Sequence, residues 1–240
     1  MLTQTQLMLE FESLGDNTEF GLVQRLFGAD PMSLLRWSRA DSLETLLGAL
    51  DARFDGLGAP GNVELKLFSR WPNYVLIDKR FGFQFHTDNA PEPGRDINDD
   101  PKRLEWVSRP LRELTDRLLG RLAAAEKVFV YRRKQPPDAA EIARLFAALR
   151  RYAADNALLW VTEGPQENWG KVKLATPGLA LAYIDRLADD EPPRVSTELW
   201  LEICTTAFAR LRDGRPRQTA PEPPAWPVLF KSRLLGHWQR

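Results

Sequence analysis

Cysteine and histidine are both scarce in this sequence. Cys204 is the single cysteine among 240 residues, and the histidines are His86 and His237. One thiol excludes an intramolecular disulfide framework and any zinc site built from several thiolates. Cys204 falls in a helix-like apolar stretch, which predicts a core residue. The low cysteine content fits a reducing compartment, and we expect the protein to be cytoplasmic.

Net charge is absent as well. Lys+Arg and Asp+Glu both number 33, so the formal net charge is zero. Such a chain has no general attraction for nucleic acid or anionic lipid, and nucleic-acid partners are disfavoured. No uncharged apolar run reaches about 18 residues, and the N-terminus has no basic region before an apolar one. We therefore predict neither a membrane span nor a signal peptide.

What the sequence does contain is an alternation of strand-like and helix-like segments. Val128 to Tyr131 and Ala157 to Val161 are apolar throughout, and a helix with an apolar stripe begins at Asp138 between them. This order predicts a parallel βαβ unit. Three strand-like runs predict a small antiparallel unit inserted in the first half: Val63 to Ser69, Tyr74 to Asp78 and Phe81 to His86. The predicted fold class is α/β, with a mixed sheet flanked by helices.

Local signals in the first half complete the predicted elements. Alternating apolar and charged residues predict a strand around Leu9 to Glu12, and Ser33 to Ser38 is predicted as a second strand. Asp41 with Glu44 predicts a capping box for a helix that runs to about Phe54.

The second half begins with a long helix and ends in a proline-rich tail. Asp100 and Pro101 are placed to start the helix, which we expect to be interrupted near Pro110. Val172 to Leu174 and Leu179 to Ile184 are predicted as edge strands. We expect residues 1–213 to form one α/β domain and residues 214–240 to form an arm packing on it.

A polar turn near the start of the chain joins a predicted strand to a predicted helix. Gly15 and the Asp16-Asn17-Thr18 cluster form the turn, and the apolar face of the helix is Phe20, Leu22, Val23, Leu26 and Phe27. Proteins of the α/β class often place a nucleophile or an anion site at such a turn. Asp16 and Asn17 are therefore candidate ligand contacts. The alternative is that Thr18 or Asn17 only caps the helix, with Glu12 and Glu19 as ordinary charges near its dipole.

Several segments together resemble a known family. These are FESLGDNTEFGLVQR at Phe11 to Arg25, LLRW at Leu34 to Trp37, FQFHTD around His86, the arginine-rich stretch Lys102 to Arg121, and VFVYRR from Val128. In this order they are similar to a domain family of unknown function that is described as a papain-like cysteine peptidase. The resemblance covers about residues 9–161, and its first motif is the most specific. In that family the motif is similar to SLGxNC, with cysteine where Thr18 stands here.

The resemblance implies roles for three residues. Thr18 would hold the nucleophile position at a helix N-terminus, and His86 would be the general base. Asp88, or Asn89 beside it, would orient His86. Threonine at the nucleophile position is a departure from the family. It should abolish thiol chemistry, because a hydroxyl has a far higher pKa than a thiol and the methyl group of threonine crowds attack. A structural role for His86, as a hydrogen-bond donor at a strand end, is the alternative.

Other candidate sites are weaker. Arg132 and Arg133 follow a predicted parallel strand, where α/β sheets place ligands, so they are candidate contacts for an anionic group; the alternative is a solvated charge run. Asp96, Asp99 and Asp100 form an acidic loop that we interpret as solvated rather than as a cation site. Trp71 and Trp169 lie in turn-like contexts and are candidate platforms for sugars or packing residues.

These observations lead to two functional hypotheses. The first is a non-catalytic relative of the peptidase-like family that binds an unidentified protein or glycan; families of this kind often accompany enzymes that build surface polysaccharides. The second is a hydrolase or transferase acting on a glycan or peptide, with His86 as general base. No nucleotide-binding loop is present, and neither a cofactor nor a metal is predicted. The sequence leaves the oligomeric state open.

Overall fold

The structure, a computed structural model, describes residues 2–15, 18–69, 71–91, 98, 100–188 and 194–212. Asp16, Asn17, Asp96, Asp99 and the predicted arm 214–240 lie outside the described residues. Among the described helices, none combines the length and apolar character needed to cross a membrane.

The described chain contains both strands and helices. The strands are β1 (Phe11–Ser13), β2 (Ser38–Arg39), β3 (Val63–Lys66), β4 (Val75–Asp78), β5 (Gln84–His86), β6 (Val128–Arg132), β7 (Ala157–Glu163), β8 (Val172–Thr176) and β9 (Leu179–Ile184). The helices are α1 (Gln4–Leu9), α2 (Glu19–Leu26), α3 (Leu43–Asp51), α4 (Pro101–Ala124), α5 (Ala139–Arg150) and α6 (Thr197–Arg212).

Two sheets organise these elements. The larger has the order β1-β6-β7-β9-β8, in which β1, β6, β7 and β9 run parallel and β8 pairs antiparallel with β9. The smaller is antiparallel throughout, with the order β2-β5-β4-β3. The predicted α/β class, with a parallel βαβ unit and an inserted antiparallel unit, is confirmed.

Helices cover the larger sheet on both faces. On β6, Val128 and Val130 pack in a cluster with residues of α1, α2 and α6, whereas Phe129 and Tyr131 pack with residues of α3, α4, α5 and the smaller sheet. This alternation follows from the two-residue period of a strand. Because both faces are covered, every residue of β6 is buried, which explains the continuous apolar run from Val128 to Tyr131.

The predicted strand around Leu9 is wrong at its start, because Leu9 ends helix α1. Thr3 caps that helix: its hydroxyl accepts from the Gln6 backbone N–H at 3.1 Å, and the Gln6 side chain accepts from the Thr3 N–H at 3.0 Å. A capping box of this kind favours a short helix locally and outweighs the alternation that suggested a strand. Strand β1 therefore begins at Phe11.

The predicted strand Ser33 to Ser38 is also largely wrong. Residues 34–37 form a turn, and pairing begins only at β2. The reason is Arg36, whose buried guanidinium donates to the backbone carbonyls of Gly21 at 3.0 Å and Ala29 at 3.2 Å. These inward hydrogen bonds require a turn, since an extended segment would carry the arginine away from them.

Helix α3 begins at a different cap from the one predicted. Ser42, and not Asp41, accepts a side-chain hydrogen bond from the Thr45 N–H at 3.2 Å. Glu44 does not close a capping box with Asp41. Its carboxylate instead accepts from Arg144 of α5 at 2.6 Å, an exposed ion pair.

Helix α4 starts as predicted but is not interrupted. The Asp100 carboxylate accepts from the Arg103 N–H at 3.2 Å, and Pro101 is the first helical residue. The helix continues through Pro110, so the predicted interruption is wrong. Proline at 110 removes the hydrogen bond to the carbonyl four residues earlier, at Trp106. Trp106 is on the exposed side of the helix, where water can replace that bond.

Two further expectations are corrected in part. Strand β8 is an edge strand, but β9 lies between β7 and β8 and is therefore interior. On α2, Leu26 is exposed and Leu22 is only half-buried, whereas the polar Glu19 and Gln24 are buried. Gln24 fits this position because its side-chain amide donates to two backbone carbonyls near the start of β1. Of the predicted apolar face, Phe20 and Val23 are buried, and the polar Glu19 and Gln24 complete the buried face in place of Leu22 and Leu26.

Candidate functional site

The turn between β1 and α2 is fixed on its strand side. The Leu14 N–H donates to the Val130 carbonyl at 2.9 Å, which continues the pairing with β6. Gly15 then adopts a φ of +82°, and a Cβ placed there would lie 2.8 Å from the Ser38 hydroxyl oxygen. Both the backbone angle and the available space therefore require glycine.

Thr18 occupies the N-cap position of α2, but its side chain does not cap the helix. Its backbone is helical, with φ −86° and ψ −1°, and its hydroxyl makes no cap hydrogen bond. Its backbone carbonyl accepts from the Leu22 N–H at 3.0 Å. The interpretation of the Thr18 side chain as the helix cap is therefore wrong. Asp16 and Asn17, the predicted ligand contacts, lie outside the described residues.

The first residue of α2, Glu19, forms a buried ion pair with Arg132 at the end of β6. Glu19 Oε2 lies 2.8 Å from Arg132 Nη2, and both side chains are almost fully buried. The carboxylate also accepts from the indole N–H of Trp200 at 2.9 Å and from the Ala188 N–H at 3.1 Å. Arg132 is therefore not part of a solvated charge run, and Glu19 is not merely an ordinary charge near the helix dipole, because the two side chains are paired in the interior. Ligand binding by Arg132 stays a prediction.

Arg133 lies apart from Arg132. Successive residues of a strand point to opposite faces, and Arg132 faces α2. Arg133 is half-buried and donates through Nη2 to the Asp41 carbonyl at 2.6 Å. Both predicted anion contacts are therefore engaged within the protein, and they do not form one site.

His86 ends β5 and contacts two tryptophans, one through the backbone and the other through its ring. Its backbone N–H donates to the Trp37 carbonyl at 3.0 Å, and its ring centroid lies 4.4 Å from that of Trp71, with a 60° angle between the planes. Burial, and to a smaller degree the positive charge of Arg39, lower the pKa of the imidazole to about 4. His86 is therefore uncharged at neutral pH.

Asp88 follows two residues later, beyond the end of the strand, and is half-buried. Phe85 and Thr87, which alternate with His86 and Asp88, are buried. Burial raises the pKa of the Asp88 carboxyl, and the charge of Arg25 opposes this increase. Its Oδ2 atom is buried and accepts no hydrogen bond from the described part of the chain.

Trp37 connects helix α2 to His86. The Arg25 guanidinium lies 4.5 Å from the Trp37 ring centroid, and a Cβ added to Gly21 would lie 3.2 Å from that ring. Helical spacing places Thr18 on the same face as Gly21 and Arg25, three and seven residues before them. The face of α2 that contains Thr18 is thus directed toward the segment that positions His86.

The predicted catalytic residues are only partly brought together. His86 ends β5 and Asp88 follows it by two residues, and the orientation of His86 by Asp88 stays a prediction. Thr18 and His86 make no hydrogen bond with one another in the described structure. Three contacts that sequence reasoning did not assign to this site are Trp71, Trp37 and Arg25. Trp37 and Arg25 lie within the motifs that carry the family resemblance, which was the available signal.

The other candidates lie elsewhere. Cys204 is fully buried in α6, and burial raises the pKa of its thiol, so the predicted core role is confirmed. Trp169 is half-buried and donates its indole N–H to the Gly164 carbonyl at 2.8 Å. Within the described residues, no group of three or more His, Cys, Asp or Glu side chains is arranged to hold a metal ion.

Comparison with protein-family models, with curated proteins and with solved structures finds no match to this chain. The resemblance to the papain-like family therefore remains an expectation from the motifs quoted above.

Proposed function

We propose that this protein is a non-catalytic binding protein, related to the papain-like family, whose ligand is a protein or a glycan. The observation that supports the proposal best is the environment of His86. The imidazole packs on Trp71, is uncharged at neutral pH and makes no hydrogen bond with Thr18.

A threonine nucleophile needs an effective general base, and the environment of His86 does not make it one. A hydroxyl must lose its proton to a base as it attacks, and a general base is most effective when its pKa is near the working pH. The pKa of His86 is about 4, so the imidazole is a weak base. A thiolate–imidazolium pair would also need a charged histidine, which the burial of His86 and the charge of Arg39 disfavour.

The same low pKa argues against His86 as a base that activates water in a hydrolase. A binding role has no such requirement, because a neutral imidazole both donates and accepts hydrogen bonds. The single buried cysteine is compatible with the cytoplasm, which we keep as the proposed compartment.

A hydrolysis screen tests the proposal. Wild type, Thr18→Cys and His86→Ala are compared on peptide and ester substrates at pH 7. Thr45→Cys is a matched control, since it also introduces a thiol near a helix start, in α3. We expect wild type to be inactive. Hydrolysis by wild type that disappears in His86→Ala would overturn the proposal in favour of an enzyme. Activity gained by Thr18→Cys, but not by Thr45→Cys, would establish the peptidase-like geometry.

A further inference from the structure

The half-buried rings of Trp71 and His86 contact one another at the end of β5, and the half-buried Asp88 follows His86 by two residues. We propose that they form a subsite for a neutral saccharide ring, with Trp71 contacting the apolar face of the ring and Asp88 accepting hydrogen bonds from its hydroxyl groups. This inference rests on the proposed binding function and specifies its ligand.

The indole of Trp71 supplies the platform. The His86 ring approaches it at a 60° tilt and therefore does not stack flat against it, and Trp71 is half-exposed. The backbone N–H of Trp71 donates to the Phe68 carbonyl at 2.9 Å, which fixes the backbone that carries the ring. Ligand sites combine such aromatic surfaces with a few well-placed polar groups.

Asp88 supplies the acceptor. The residues on either side of it are held by Tyr74: the Thr87 hydroxyl donates to the Tyr74 carbonyl at 2.7 Å, and the Tyr74 N–H donates to the Asn89 carbonyl at 2.8 Å. The carboxylate is thus positioned by its neighbours, while Oδ2 accepts no hydrogen bond within the described chain. Asp88 is half-buried, so part of its side chain is open to a ligand, and a carboxylate accepts hydrogen bonds from the hydroxyl groups of a ligand.

The charges nearby select the class of ligand. An indole beside a carboxylate could also bind an ammonium group. Here, however, the positive charges of Arg25 and Arg39 act on Asp88 and His86 respectively, and they disfavour a second cation. Asp88 in turn disfavours an anion. A neutral ring with several hydroxyl groups satisfies the carboxylate without adding charge, and the neutral His86 can donate to or accept from the same hydroxyls.

The test is a glycan array that includes neutral, sialylated and sulfated glycans, followed by calorimetry with the strongest neutral ligand. Choline is the cationic probe. Trp71→Ala and Asp88→Asn are compared with Trp106→Ala, an exposed tryptophan on α4, and Asp116→Asn, an exposed aspartate on the same helix. We expect a neutral glycan to bind, Trp71→Ala and Asp88→Asn each to weaken binding at least tenfold, and the control variants to bind as wild type.

Three results would overturn the inference: no neutral glycan bound, preference for choline or for charged glycans, or equal affinity in Trp71→Ala and Trp106→Ala. Failure here is distinct from failure of the proposed function. Glycan binding together with His86-dependent hydrolysis would retain the subsite and overturn the non-catalytic proposal. Absence of both glycan binding and hydrolysis would reject the subsite alone.

Discussion

The carboxylate of Glu19 and the guanidinium of Arg132 lie 2.8 Å apart in the interior of the protein. The pair joins the start of α2 to the end of β6. The hydrogen bonds that Glu19 accepts from Trp200 and Ala188 connect the pair to α6 and to the segment after β9. A carboxylate at the first turn of a helix is also favoured by the helix dipole. This group of contacts fixes the helix that carries Thr18.

Glu19→Gln should destabilise the protein strongly. The substitution leaves the Arg132 charge buried without its carboxylate, and breaking a buried pair in this way costs about 3–5 kcal/mol. Urea unfolding followed by circular dichroism measures the change. Glu44→Gln, which removes an exposed ion pair with Arg144, should leave the unfolding midpoint unchanged.

The double variant Glu19→Gln/Arg132→Met separates loss of a charge partner from loss of packing. Removing both charges abolishes the uncompensated arginine, so part of the lost stability should return. An additive double variant would contradict the assigned ion pair.

Thr18→Ala should leave the free energy of unfolding nearly unchanged. The Thr18 hydroxyl makes no cap hydrogen bond, so its removal takes no donor or acceptor from α2. Ser42→Ala is the matched control, because Ser42 does cap α3, and a lost cap costs about 1 kcal/mol. Thermal unfolding of the two variants makes the comparison; an equal loss of stability in both would show that Thr18 caps its helix after all.

The elements that the sequence predicts well are those whose burial matches their local pattern. Residues 128–131 of β6 and residues 157–161 of β7 are apolar throughout and are packed on both faces, and α5 has an apolar stripe preceded by a capping aspartate, Asp138. Periodicity and capping suffice in these cases, because the tertiary environment reinforces the local signal.

The elements that sequence reasoning misplaces are those in which charged side chains are buried. Arg36 converts a predicted strand into a turn, and Glu19 turns α2 so that Leu26 is exposed. Patterns of hydrophobicity treat arginine and glutamate as surface residues, and their burial depends on partners distant in the sequence. The contacts of the candidate site likewise depend on residues distant in the sequence. The position of His86 was predictable, whereas its contacts with Trp71 and Trp37 depend on how the smaller sheet packs against α2.

Gly15→Ala should be more damaging than Gly61→Ala. Both glycines have a φ of +82°, so both substitutions carry the same backbone strain, about 1 kcal/mol or more. The space around Gly61 is open, whereas a Cβ at Gly15 would lie 2.8 Å from the Ser38 hydroxyl oxygen. We expect Gly15→Ala to unfold at a lower denaturant concentration and Ser38→Ala to restore part of the loss. Equal midpoints for the two glycine variants would contradict the close approach.

His86 should make the stability of the protein depend on pH between about 4 and 6.5. Its folded-state pKa is about 4, below the ordinary value of 6.5, so in this interval the unfolded chain binds a proton that the folded chain does not. Above pH 6.5 the neutral His86 does not lower the free energy of unfolding. As the pH falls from 6.5 toward 4, the free energy of unfolding decreases by about 3 kcal/mol at most. Urea unfolding of wild type and His86→Gln at pH 7 and pH 5 measures this decrease. The difference in free energy of unfolding between the two proteins should be smaller at pH 5 than at pH 7. An NMR titration that follows the two histidines, with the His86 signals assigned from the variant, gives the pKa directly. A value near 6.5 would contradict the buried, neutral imidazole on which the proposed binding function depends.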